Sequence, residues 1–480
     1  MTKQNLIGGR WCAGAAIVAD VNPSDVTDIV DEYALADADQ AREAVAAARA
    51  AQPGWAAASP QQRFTVLDTA GTEILRRAED LGDLLAREEG KTRAEAIAEV
   101  NRAGQVFKFH AGQAVRATGE HLESIRTGVE VTVSREPVGV VCVVTPWNFP
   151  MAIPAWKIAP ALAYGNTVVF KPAELVPASA WALVDILRRA GLPDGALNLL
   201  IGKGSVIGDT ITGSPDVDAV SFTGSTDTGR KVLATATRHG ARVQLEMGGK
   251  NPLVLVDDAD LETAVRCAVE GAYGSTGQRC TASSRLIVTE GIHDRFVAAL
   301  LDRLRAIRVG DARDPRTEMG PVVDERQLDQ DERYLDVARR EGAEVVGGKR
   351  LDLPGRGFYL SPALVLGSST TDTINREEVF GPVASIIRVT DYDEALAVAN
   401  DVDFGLTAGI VTTSLAKATD FRRRSTAGMV MVNVPTAGVD FHVPFGGRKA
   451  SSYGPREQGT HAREFFTTTK TAYVAAGPVV

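Results

Sequence analysis

Metal-ligand spacing is the first thing this chain lacks. Its six histidines are scattered, and its four cysteines, Cys12, Cys142, Cys267 and Cys280, include no Cys-x-x-Cys pair. Neither a metal site nor a disulfide framework is expected, and the cysteine usage fits a reducing cytosol. Positive charge is not in excess either. A net charge of −9 argues against a nucleic-acid partner or an anionic membrane surface. The one basic run, Arg422-Arg423-Arg424, is short and reads as the solvated face of a helix. Long apolar runs are missing too. The richest region, Val138 to Phe170, is broken by Pro146, Asn148, Pro150, Pro154, Lys157 and Pro160, so no membrane span is expected. The polar start, followed by Leu6-Ile7-Gly8-Gly9, carries no signal-peptide core. Repeats, low-complexity tracts and long linkers are absent.

What remains is an ordinary globular composition, 44% hydrophobic and 24% charged over 480 residues, enough for two to three domains. Helical spacing follows Asp37 (Ala41, Ala44, Val45, Ala48) and recurs from Phe64 to Leu85. Glu130 to Arg135 alternates like a half-exposed strand. From Val138 the pattern becomes short apolar runs separated by helices, the mark of buried parallel strands: Val138–Val144, Thr167–Phe170, Leu197–Ile201 and Ala219–Phe222. Helical segments are expected at Ala178–Ala190 and Thr226–Thr237. A second series runs through Leu253–Val256, Leu286–Val288, Val383–Val389 and Met429–Val432. Two such series imply two doubly wound α/β domains. The stretch Glu464–Val474 reads as a terminal strand that needs an edge to pair with, inside the subunit or beyond it.

Cys280, in Gly277-Gln278-Arg279-Cys280-Thr281-Ala282, is flanked by glycine and polar residues, unlike the core-type Cys142. Arg279 beside it could favour a thiolate. Glu246 lies between an apolar run and Gly248-Gly249, where partial burial would raise its pKa and make it a base; the alternative is a solvated or capping carboxylate. Asn148, in Thr145-Pro146-Trp147-Asn148-Phe149-Pro150, follows a strand end and is either an oxyanion donor or a turn residue before proline. Lys171-Pro172-Ala173-Glu174 could grip a ribose diol or form a surface ion pair. In Phe222-Thr223-Gly224-Ser225 the helix start could meet a phosphate, or Ser225 could simply be an N-cap. Glu377-Glu378-Val379-Phe380-Gly381-Pro382-Val383 is otherwise a charged turn entering a strand.

In joint order and spacing these segments resemble the aldehyde dehydrogenase family. Leu6-Ile7-Gly8-Gly9-Arg10-Trp11 and Pro444-Phe445-Gly446-Gly447-Arg448-Lys449 extend the likeness over nearly the whole chain. The resemblance implies two doubly wound α/β domains plus a small β oligomerisation arm. Residues 1–118 and 138–248 would bind NAD(P), 249–447 would be catalytic, and 119–137 with 464–480 would form the arm of a homodimer or homotetramer. It implies Cys280 as nucleophile, Asn148 with the Cys280 backbone N–H as oxyanion donors, and Glu246 as the base that activates water. Trp147, Lys171, Glu174, Gly204, Gly224, Ser225, Gly229, Glu378 and Phe380 would contact the cofactor. Glu174 favours NAD, although some relatives with that acid accept NADP. Phe149, Trp156, Arg279, His442 and Phe445 would line the tunnel for a small aldehyde.

Ser452 stands where many members have glycine, and only a local loop effect is expected of it. The segment Val432 to Pro444 is similar to that of bacterial α-ketoglutarate semialdehyde (2,5-dioxopentanoate) dehydrogenases, and Arg279 could receive a distal carboxylate or be structural. Succinate semialdehyde, glutarate semialdehyde and neutral aldehydes stay open as substrates. A coenzyme-A-acylating relative is disfavoured by Glu246, and a non-catalytic scaffold by Cys280, Glu246 and Asn148 together.

Overall fold

The computed structural model describes residues 2–116, 119–475 and 477. The expected limits at 118 and 480 lie outside the described residues. Five parallel strands form the centre of the first sheet. They lie side by side in the order Leu197–Leu199, Thr167–Lys171, Val140–Val144, Ala219–Thr223 and Arg242–Glu246. Val140 to Val143 are wholly buried because helices cover both faces of the sheet. The winding direction reverses between Val140–Val144 and Ala219–Thr223, and in doubly wound sheets the ligand crevice lies outside the carboxyl ends of the strands at such a reversal. Asn5–Ile7 and Arg10–Cys12 close one edge, and Ser452–Tyr453 pairs antiparallel with Arg242–Glu246 at the other.

The second sheet runs Glu344–Gly347, Ala363–Leu366, Val383–Val389, Ser283–Thr289, Asn251–Leu255, Thr407–Val411, Met429–Val432, parallel except for its first strand. All four runs expected in the second series fall within it. The chain leaves the first sheet at Glu246 and enters the second at Asn251. The carboxyl end of the first sheet therefore faces the amino end of the second.

The terminal strand is Thr467–Ala475, and it pairs along its whole length with Val129–Pro137, from Thr467 opposite Pro137 to Ala475 opposite Val129. Glu120–Glu123 adds a third strand. The strand begins at Thr467 rather than at Glu464. Arg463–Phe466 instead forms a helical turn that buries Phe465 and Phe466 in the core. No helix among the described residues is long and apolar enough to cross a membrane.

Asn166, wholly buried, ties this arm to the first sheet. Its Nδ2 donates to the carbonyls of Ala161 (3.0 Å) and Phe466 (2.9 Å), and its Oδ1 accepts from the Gly139 N–H (2.9 Å). Asn166→Ala strands these buried groups and is expected to cost roughly 2–4 kcal/mol. Denaturant titration checks this, and a loss below about 1 kcal/mol would leave the arm anchored by other contacts.

Candidate active site

Cys280 sits at the amino end of Ser283–Thr289, not at the carboxyl end of a strand, and it opens onto a cavity of about 210 Å³. That size suits a small metabolite, below the ~300–1,000 Å³ of drug-sized pockets. Burial, then the carboxyls of Glu378 and Glu246, push the thiol up to about 12, while the N–H groups of Cys280 and Thr281 pull the other way. Arg279 does not act as the expected counter-charge. Its Nη2 donates to Glu95 Oε1 (2.9 Å) and Ser275 Oγ (2.8 Å), so its charge is already used.

Glu246 ends the strand Arg242–Glu246 and is buried. Burial holds its carboxyl well above the usual range. Glu457 adds to this, while the Ser452 hydroxyl, Lys157 and Arg456 oppose it. The expectation for Ser452 is corrected here. Its hydroxyl donates to Glu246 Oε2 (2.6 Å) and accepts from the Gly447 N–H (2.6 Å), so it touches the expected base directly. Glu246 Oε1 has no partner and lies against Gly446, where a Cβ would come within 2.8 Å of it. Asn148 is buried, and its Nδ2 donates to the Gln278 carbonyl (2.9 Å), leaving one amide hydrogen to spare. Its own carbonyl accepts from Lys91 Nζ (2.7 Å), which fixes the backbone there.

The residues expected at the cofactor surround the crevice of the first sheet. Lys171 Nζ lies 3.6 Å from Glu174 and donates to the Pro172 carbonyl (3.0 Å). Gly204 leaves space beside it, since a Cβ there would meet nothing closer than Lys171 Cε at 3.9 Å. Ser225 caps Thr226–Ala236 by accepting from the Thr228 N–H, as its plainer reading held, and the helix start still has free N–H groups. Gly224 and Gly229 admit the Phe222 ring and the Met247 sulfur; a Cβ at either would come within 2.6 Å of them. The buried hydroxyls of Thr145 and Thr223, at the ends of the two strands flanking the reversal, have no partner. Unpaired hydroxyls, helix N–H groups and a Lys–Glu pair suit the phosphates and hydroxyls of a dinucleotide, so the residues fit such a group.

Nearer the thiol, Glu378 Oε1 accepts from the Gly249 N–H (2.8 Å), and burial pushes Glu378 up to about 7. A Cβ on Gly248 would run into this carboxylate. Phe380 adopts a left-handed backbone (φ +67°) and packs edge-on against Trp147, with ring centroids 5.4 Å apart.

Of the expected tunnel residues, Phe149, Trp156, Arg279 and Phe445 line the cavity, with Trp156 stacked on Phe445 at 5.5 Å. His442 does not. It is exposed and packs on Phe441 outside the lining, because the chain turns outward at Gly438–Val439 and only those two residues of the segment reach in. Three charged lining residues escaped the sequence reading: Glu95, Glu99 and Arg102. They share one face of the helix Arg93–Ala114, at i, i+4 and i+7. Only that spacing could have flagged them, and it equally describes a solvated face.

The aldehyde dehydrogenase family model matches residues 11–472, and the chain belongs to that family. It is 41% identical over 479 residues to the alpha-ketoglutaric semialdehyde dehydrogenase of Bacillus subtilis (strain 168), covering 98% of each chain. It is 42% identical over 477 residues to the alpha-ketoglutarate semialdehyde dehydrogenase of Haloferax volcanii, again 98% of each. Its structure is similar to that of the betaine aldehyde dehydrogenase of Staphylococcus aureus in complex with NAD+, with a TM-score of 0.97 at 34% identity, covering 100% of this chain and 96% of that one.

The hydrogen bond from Ser452 stabilises the ionised form of Glu246 and so lowers its pKa. Ser452→Gly removes that bond, and the acid limb of the kcat–pH profile is expected to move to higher pH. An unmoved limb would show that Glu246 does not control the step.

Proposed function

We propose that this chain oxidises α-ketoglutarate semialdehyde to α-ketoglutarate with NAD, through a thioester on Cys280. The observation that carries the reading is a thiol that opens onto one small cavity, with an amide donor fastened to the Gln278 carbonyl two residues before it and a buried carboxyl close enough to raise its pKa. Full-length relatives named for that substrate support the choice of aldehyde. NAD, when bound, would take up the hydride that leaves the substrate carbon, held by Lys171, Glu174, Gly204, Gly224, Ser225, Gly229, Glu378, Phe380 and Trp147.

Because Cys280 rests as a thiol, its proton must leave as sulfur adds to the aldehyde carbon. Glu246, its carboxyl raised by burial, accepts that proton. As the carbonyl electron pair moves onto oxygen, the spare hydrogen on Asn148 Nδ2 and the Cys280 backbone N–H stabilise the oxyanion. Glu246 then passes that proton to solvent, and after oxidation to the thioester it takes a proton from water. The water oxygen adds to the carbonyl carbon, the C–S bond breaks with its electron pair going to sulfur, and the carboxylic acid is released.

The domain reading follows the two sheets: 1–118 and 138–248 for the cofactor, 249–447 for catalysis, and 119–137 with 464–480 as the arm. The antiparallel addition of Ser452–Tyr453 to the first sheet lies outside those ranges. Exposed Leu122, Ile125, Tyr473 and Val474 on and beside the arm support its use between copies of the chain, as a homodimer or homotetramer. The unpaired thiols of Cys12, Cys142, Cys267 and Cys280 support a reducing compartment, the cytoplasm.

Glu246→Gln removes the acceptor for both protons and is expected to slow the burst of NADH as well as the steady state, with kcat down roughly 10²–10⁴-fold. Rapid-mixing absorbance measures both phases, and an unchanged kcat would reject Glu246 as the base. Glu174→Gln removes the negative charge proposed to face the 2′-position, and should raise kcat/KM for NADP relative to NAD by about tenfold. An unchanged ratio rejects the ribose assignment.

A further inference from the structure

The cavity wall carries four charged side chains, and two of the carboxylates are already matched. Glu99 accepts from Lys91 Nζ (2.6 Å) and from the N–H groups of Met151 (2.9 Å) and Ala152 (3.0 Å). Glu95 is paired with Arg279 and also accepts from the Ser275 N–H (2.7 Å). Among the described residues, Arg102 has no carboxylate in ion-pair contact. Its Nη2 donates to the neutral amide oxygen of Gln458 (3.1 Å), and its enclosed Nε has no acceptor. The guanidinium lies 5.4 Å from the centre of the Trp156 ring. Glu99 and, from an exposed position, Asp440 act on it, but no ion pair joins Arg102 to either among the described residues.

Unmatched donors accumulate on the same wall. Besides Arg102 Nε, the Trp156 Nε1 and Arg279 Nε groups are buried without an acceptor. Each such donor is costly to bury, so a cavity carrying three of them and a surplus cation is complementary to an anion. Gln458 adds a second sign of purpose. It is wholly buried, yet its backbone is held in the left-handed region at φ +61°, a strained conformation for a residue with a side chain. That conformation belongs to the residue that holds Arg102.

We infer that Arg102, oriented by Gln458, is the group that receives the distal carboxylate of an acidic aldehyde whose carbonyl lies at Cys280, and that Arg279 is a structural partner of Glu95. The inference rests on the semialdehyde reading above, and it replaces Arg279 with Arg102 as the specificity residue. A guanidinium can meet a carboxylate through two parallel N–H bonds, and the shared position over Trp156 keeps water from competing for it.

The test is the ratio of kcat/KM for α-ketoglutarate semialdehyde to that for pentanal, measured in the wild-type enzyme, Arg102→Met, Arg102→Lys and Gln458→Glu. Loss of one or two charge-assisted bonds is expected to lower the ratio by about 10- to 100-fold in Arg102→Met, with partial recovery in Arg102→Lys. Gln458→Glu keeps the side-chain shape but supplies Arg102 with a carboxylate, and should lower the ratio comparably without removing the cation. Retained pentanal turnover in Gln458→Glu guards against a folding defect in Arg102→Met. A ratio within about threefold of wild type in both Arg102→Met and Gln458→Glu overturns the inference. So does a ratio that falls in Arg279→Met but not in Arg102→Met. If the wild-type enzyme itself does not prefer the acidic aldehyde, the substrate reading fails instead, and the two failures are told apart by that first measurement.

Discussion

The amide of Asn251 holds the two halves of the site in register. Its Nδ2 donates to the carbonyls of Cys280 (2.8 Å) and Ala282 (2.9 Å), and its Oδ1 accepts from the Thr407 N–H (3.1 Å). Asn251 opens the second sheet immediately after the crossing Met247-Gly248-Gly249-Lys250, so the loop that carries the thiol is fastened to the segment that leaves Glu246. The two glycines make this fit possible. A Cβ on Gly249 would come within 2.8 Å of the Cys280 carbonyl, and one on Gly248 would displace Glu378. The thiol of Cys280 and the carboxyl of Glu246 therefore come from different sheets yet are spaced by one short crossing. Positions set by strands and a crossing of this kind are more rigid than positions set by loops.

That closeness has an electrostatic consequence. Glu246 and Glu378 both raise the Cys280 thiol, and Glu457 raises Glu246. Glu457 is itself matched by Lys157, so its effect on Glu246 is tempered but not removed. Acid groups crowded in a low-dielectric space cannot all ionise at once. Burial and these neighbours together favour the protonated thiol and the protonated carboxyl over their charged forms.

Much of the architecture was legible because its strands are short β-branched runs between turns. Val383–Val389 and Met429–Val432 are bounded in the structure as their composition predicts. The terminal strand starts three residues later than its threonines and aromatics suggest, because Phe465 and Phe466 are worth more buried in the core than extended along an edge. Cys280, Glu246 and Asn148 stood out through their unusual neighbours. Their partners did not. Ser452 is distant in sequence from Glu246 and meets it only because Ser452–Tyr453 adds to the edge of that strand. Arg279 was conspicuous for sitting next to Cys280, but adjacency along a chain says little about where a long side chain points. It turns toward Glu95, and His442 turns outward.

Arg102 shows the same limit from the other side. On a helix, charges at i, i+4 and i+7 describe a wet surface and a polar cavity wall equally well, and only packing distinguishes them. The helix Arg93–Ala114 is capped by Thr92 with Glu95 in a reciprocal box, and Glu95 spends its remaining oxygen on Ser275 and Arg279. Glu99 on the next turn anchors the start of Ala152–Ala163 and the lysine that fixes Asn148. Each acidic residue of this face thus positions a piece of the thiol's surroundings and is neutralised in doing so. The first residue of the face not absorbed into that scaffold is a cation, Arg102, so the wall that builds the site also presents one guanidinium with no ion-pair partner among the described residues.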